Sequence, residues 1–124
     1  MNKAQSNIIP NTFGIHNRKR LINFNLETVT VQDEQGSHTE YSYEQISIPM
    51  VNTRGDMISA VINNKYPRHQ ELALINNKIA EPDNVEYQNE YAEYQERREF
   101  AKNLIDNILQ YTDEELENME VSEL

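Results

Sequence analysis

The chain has no cysteine and no tryptophan, and its three glycines, Gly14, Gly36 and Gly55, are isolated. The lack of cysteine excludes disulfides, a thiol nucleophile and cysteine-based zinc sites. Scattered glycines exclude a phosphate-cradling loop, which needs several of them within a few residues. No stretch approaches the roughly 18 apolar residues of a membrane span. Met1-Asn2-Lys3-Ala4-Gln5-Ser6 is not the start of a secretory signal, because no long apolar run follows it. Apolar residues make up only 37% of the 124, against roughly 45–50% in ordinary globular chains. A core drawn from so small a stock is thin, or a partner completes it.

Basic residues are also scarce: 11 Lys and Arg face 21 Asp and Glu, giving a net charge of −10. An acidic whole argues against nucleic acid as a partner, since that affinity comes from neutralised phosphates. The charge is unevenly placed. Residues 1–20 carry Lys3, Arg18, Lys19 and Arg20 with no acid, whereas residues 113–124 carry six acids and no base. The length predicts one domain, divided into a basic extended arm (1–20), a folded α+β body (21–111) and an acidic tail with a short helix (112–124). The arm would lie on an acidic neighbour, another protein or a second copy. Its anchors would be Ile8, Ile9, Phe13 and the basic Arg18, Lys19 and Arg20.

In the body, Ile22, Phe24 and Leu26 alternate, Val29 and Val31 follow on the opposite parity, and Asp33-Glu34-Gln35-Gly36 is a turn. With Thr39, Tyr41 and Tyr43 on one face of the next run, this predicts a β-hairpin. A lone hairpin is marginal in water, so it should pack on the helices or extend a neighbour's sheet. Thr53 with Asp56 forms a capping-box pattern for a helix over 54–64. Pro67 starts a second helix over 67–78, expected to bury Leu72, Ile75 and Ile79. A long third helix over 84–111 follows, with Tyr87, Tyr91, Tyr94, Arg98, Ala101, Ile105 and Ile108 at alternating four- and three-residue steps. That stripe is a heptad-like packing seam over about three repeats, interrupted by Arg98. Thr112 with Glu115 caps a short acidic helix. The fold class is therefore α+β, mostly α: an N-terminal extended arm, a β-hairpin, then a helical hairpin plus one long helix and a short C-terminal helix.

Chemistry is sparse. His16, His38 and His69 fall in three separate elements with no metal-ligand spacing. Glu86, Glu90 and Glu93 read as a solvated helix face rather than an acid–base pair. Arg54-Gly55-Asp56 is a helix start, and Arg97, Arg98 and Lys102 are matched by nearby glutamates. The residues therefore predict no catalytic, metal or cofactor site. They predict packing and interface positions at Tyr87, Tyr91, Tyr94, Ile105 and Ile108 besides those of the arm.

Four motifs between Tyr43 and Lys102 carry a resemblance. They are Tyr43-Glu44-Gln45-Ile46-Ser47-Ile48-Pro49, the helix end Lys65-Tyr66, the run Glu71-Leu72-Ala73-Leu74-Ile75-Asn76-Asn77, and Tyr91-Ala92-Glu93-Tyr94-Gln95-Glu96-Arg97-Arg98. Together they resemble small, uncharacterised proteins of bacteriophages and prophages, often encoded beside tail-fibre, tail or baseplate genes, notably in phages of gut Bacteroidales. The resemblance covers about half the chain and implies a non-enzymatic role in the virion or its assembly. The implied partners are other phage structural proteins or further copies of the chain, not a membrane. The implied location is the virion, or the host cytoplasm during assembly. A different class of function fits the charge alone: an acidic regulator that mimics DNA and blocks a host enzyme.

Overall fold

A computed structural model describes all residues, 1–124. Strands lead and helices follow: β1 (Lys3–Ser6), β2 (Phe13–His16), β3 (Lys19–Asp33), β4 (Gly36–Pro49), α1 (Arg54–Lys65), α2 (Arg68–Ala80), α3 (Val85–Ile108) and α4 (Asp113–Glu117), then a 3₁₀ turn at Val121–Glu123. The chain divides into two compact units. A sheet unit is made of Met1–Asn52 and Asn107–Leu124, and a helical unit of Thr53–Asp106.

The α+β class holds, with 46% helix and 31% strand, but the expected order of arm, hairpin and helices is overturned. Residues 1–20 are not an arm. They supply both outer strands of one four-stranded antiparallel sheet, ordered β1-β4-β3-β2. The physical reason is that the central β3–β4 hairpin leaves backbone donors and acceptors open along both edges. Lys3–Ser6 satisfy one edge against Tyr41–Glu44, and Phe13–His16 the other against Lys19–Ile22. Phe13, expected to reach a partner, is buried in this chain's own sheet.

The β2–β3 connection is a two-residue turn with Asn17 and Arg18 at φ of 50° and 61°. Both residues at positive φ are the signature of the turn whose twist suits a hairpin. In the β3–β4 turn, Gly36 takes φ 114°, a value closed to most side chains. Asp33 Oδ1 accepts from the Gln35 amide at 2.8 Å and fixes the bend.

A β-bulge explains the parity switch in β3. Phe24 pairs with Glu44 and Glu27 with Ser42, so β3 spends one extra residue there. Asn25, at φ 54°, absorbs it. Val29 and Val31 are thereby returned to the face that carries Ile22 and Phe24. Ile22, Phe24, Ile46 and Ile48 are buried on that face. The opposite face is held by amides: the Asn23 side chain donates to the Asn11 carbonyl at 2.8 Å, and Gln45 Nε2 donates to Asn23 Oδ1 at 2.9 Å.

The C-terminal segment is part of the same unit. The Thr12 amide donates to the Met119 carbonyl at 2.7 Å, the Val121 amide to the Pro10 carbonyl at 3.0 Å, and Asn11 Nδ2 to the Glu117 carbonyl at 2.7 Å. Asn11 and Glu120 form an isolated antiparallel bridge. Leu116 and Val121 are buried beneath these bonds, and Arg20 pairs with Asp113. The basic and acidic ends of the sequence therefore meet within one chain.

In the helical unit, the Thr53–Asp56 capping box forms in full, as Thr112–Glu115 does at α4. Pro67 is the N-cap of α2. The predicted α2 core is corrected: Leu72 is 49% and Ile79 72% exposed, while the buried residue of that helix is Glu71. The α3 seam is shifted as well. Tyr94, Ala101, Ile105 and Ile108 are buried, but Arg97 is buried where Arg98 was expected, and Tyr87 and Tyr91 are only half-buried.

Candidate functional site

The interior of the helical unit is polar at two points. Glu71, 8% exposed, accepts from the Tyr94 hydroxyl at 2.6 Å and also from Asn63 Nδ2. Burial, then the hydrogen bond to Glu71, pushes the Tyr94 phenol up to about 12. Tyr66 stands edge-on to Tyr94, with ring centroids 5.3 Å apart, and the Tyr91 ring lies 6.4 Å from that of Tyr94 in a tilted arrangement. Arg97, 6% exposed, donates from Nε and Nη2 to the Val61 carbonyl at 3.2 and 2.7 Å. Its guanidinium lies 5.2 Å from the Phe100 ring centre. Each group is held by defined partners, the pattern of a structural polar core.

Beside this core, α2 and α3 leave a groove of about 340 Å³ lined by Tyr66, Gln70, Ala73, Leu74, Asn77, Glu90 and Glu93. Ala73 and Leu74 make its apolar part. Gln70, Asn77, Glu90 and Glu93 bring four polar side chains that form no hydrogen bond or ion pair within the protein. Burial, followed by the negative charge of Glu93, raises the Tyr66 phenol above its ordinary value. The volume falls at the lower end of the range for small-ligand sites.

The sheet unit offers a different surface. On the outer edges, residues 41–44 of β4 and 19–22 of β3 are paired, and the Gln45 and Asn23 amides add one bond each, to the Asn2 and Thr12 carbonyls. The hairpin continues past both outer strands, with pairs from Val29↔Glu40 to Asp33↔Gly36. That ribbon has open backbone on both sides. Near its tip His38 bridges Glu40 at 2.8 Å and Asp33 at 3.4 Å. The bond from Gln5, then that from His38, holds Glu40 below its ordinary value.

The predicted interface residues are dispersed. Ile8 is exposed and Ile9 half-buried, Arg18 and Lys19 are exposed at the β2–β3 turn, and Arg20 lies over the Phe13 ring at 4.9 Å. Tyr91 and Tyr94 are brought together, whereas Ile105 and Ile108 are buried further along the same helix. The groove was missed. Its signal was the spacing of Tyr66, Gln70, Ala73 and Asn77, which repeats at helical intervals with small and amide residues. No cluster of three or more His, Asp or Glu side chains is placed to hold a metal ion. No helix is long and apolar enough to cross a membrane. No protein-family model, curated protein or solved structure matches the chain.

Proposed function

We propose that this is a non-enzymatic phage structural or assembly protein that works by packing against other virion subunits or further copies of itself. Its place is the tail or neck region of the virion, or the host cytoplasm during assembly. The observation that carries this reading is the β3–β4 ribbon, which runs beyond both outer strands and leaves two backbone edges for an added strand. The quoted resemblance to tail-module proteins supports the same reading. Because residues 1–20 are folded into the sheet, the ribbon takes the reaching role expected of the arm.

The test is mass spectrometry of purified phage particles from the source strain, scored for this chain and its copy number. Stoichiometric presence is expected. Absence from particles, with the protein abundant in infected cells, would overturn a place in the virion. An acidic DNA-mimic inhibitor is the second reading, favoured by the exposed Glu114, Glu117, Glu120 and Glu123. Salt-sensitive capture of a DNA-handling host enzyme would select it.

A further inference from the structure

We propose that the α2–α3 groove is a binding site for an arginine side chain presented by a partner polypeptide. The inference stands whether or not the protein belongs to a virion, because it rests on the groove alone. The cavity, of about 340 Å³, has an aliphatic part at Ala73 and Leu74 against which a three-carbon stem can lie. Around that part stand Glu90 and Glu93, with no cation of this chain paired to either, and the carboxamides of Gln70 and Asn77, free of other hydrogen bonds. A second set of carboxylates in the same unit behaves differently: Asp106 is engaged by Arg54 at 2.6 Å, and Glu99 lies 3.6 Å from Lys102. Glu81, Asp83, Glu86 and Glu96 also lack an ion pair, but only Glu90 and Glu93 line the groove.

Charge complementarity selects a cation, and the number of acceptors selects guanidinium. Two carboxylates, two carboxamide oxygens and the Tyr66 hydroxyl can accept several hydrogen bonds at once. Guanidinium offers five donors in one plane and sheds water more readily than ammonium does. The Glu93 charge already reaches Tyr66, whose phenol burial and that charge hold neutral against the opposing charge of Arg97. An anionic or purely apolar guest would leave both carboxylates facing it unpaired.

The experiment is a titration of the isotope-labelled full chain with acetyl-Gly-Arg-Gly-amide, followed by amide chemical shifts. Saturable shifts confined to the 66–77 and 90–93 segments are expected, with Kd on the order of 1 mM for so small a probe. The citrulline peptide, which keeps the shape and loses the charge, should produce none. Glu90→Gln with Glu93→Gln should weaken binding at least about tenfold, the loss of one to two charge-assisted bonds. Both positions are on the helix surface, and an unchanged circular dichroism spectrum would show that the fold persists. No shifts at about 10 mM peptide, equal shifts with citrulline, or undiminished binding to the double variant would overturn the proposal. Equal affinity for the lysine peptide would overturn the assignment to arginine.

Discussion

The two units are built on opposite plans. The helical unit is one continuous segment, Thr53–Asp106, whereas the sheet unit joins the first 52 residues to the last 18. One is assembled from neighbours along the chain, the other from pairings such as Asn11 with Glu120 that close almost the whole sequence. Each unit also buries polar groups, and each buries one carboxylate. The sheet unit buries the Asn23 carboxamide and the Glu44 carboxylate, which accepts from Asn25 Nδ2, and the helical unit buries Glu71 and the cationic Arg97. Long-range closure costs chain entropy that only packing returns. Buried ionisable groups are costly whenever a partner is removed. The sheet unit should therefore be sensitive to apolar losses at its closing seam, and the helical unit to the loss of a partner at Glu71 or Arg97.

The largest effect is expected at that seam. Leu116 is 1% exposed and holds the C-terminal segment against β2 through apolar contact. Leu116→Ala should cost about 3–5 kcal/mol in urea unfolding, as for other well-enclosed leucines. The Thr12 amide, bonded to Met119, should then exchange its proton much faster. A small loss with Thr12 still protected would show that backbone bonds alone close the sheet unit.

In the helical unit the corresponding weak point is Arg97. Arg97→Ala removes both donors to the Val61 carbonyl and leaves a hole. A loss of about 2–3 kcal/mol is expected, the scale of charged hydrogen bonds broken in a buried site. Arg97→Lys should recover only part of it, because ammonium cannot reproduce the two-nitrogen fork. Full recovery by lysine would make Arg97 a matter of charge rather than geometry.

The contrast between the units also explains what was legible in the sequence. Capping boxes at Thr53 and Thr112 and the proline start of α2 are written within a few residues, so they could be read directly. The sheet partners of residues 1–20 are not written locally. Asn17-Arg18 makes a hairpin turn without the glycine that would announce it, and the short strands Lys3–Ser6 and Phe13–His16 gain their conformation from the edges they meet. The parity switch after Leu26 was visible, but without a partner strand a bulge and a strand end look alike. Glu71 was hidden for a related reason. A glutamate on an α2 face is read as solvated until Tyr94, 23 residues later, is seen to donate to it. The groove acids Glu90 and Glu93 were correctly placed on a helix face, yet the cavity depends on how α2 meets α3.

Tyr94→Phe sharpens the comparison at moderate cost. It deletes the donor to Glu71 and leaves Asn63 in place, so about 1–2 kcal/mol should be lost. Its pH dependence carries more information. The folded state raises this phenol from its ordinary 10 to about 12, so folding favours the neutral form. The stabilisation is complete below pH 10 and disappears as pH rises from 10 toward about 12. The wild-type chain should lose stability over that window, and the phenylalanine variant should lose less. Parallel alkaline slopes would mean that Tyr94 titrates alike in the folded and unfolded chains.

The smallest effect has the opposite sign. Thr12 is fully buried in the sheet unit, and its Oγ1 has no hydrogen-bond partner, although its amide and carbonyl are bonded to Met119 and Asn23. Its backbone is thus needed at that position and its hydroxyl is not. Burying an unpaired hydroxyl carries a desolvation cost without the return of a bond. Thr12→Val keeps the branched shape and removes that cost, so the chain should gain about 1 kcal/mol in urea unfolding. The same exchange of polar for apolar at Tyr94 is expected to destabilise, because there the hydroxyl has a carboxylate to meet. Opposite signs at these two buried hydroxyls would confirm that a buried hydroxyl stabilises the fold only where it meets an acceptor. A loss at Thr12→Val would show instead that its hydroxyl is satisfied in solution, and that the sheet unit, like the helical one, depends on a buried polar contact at its seam.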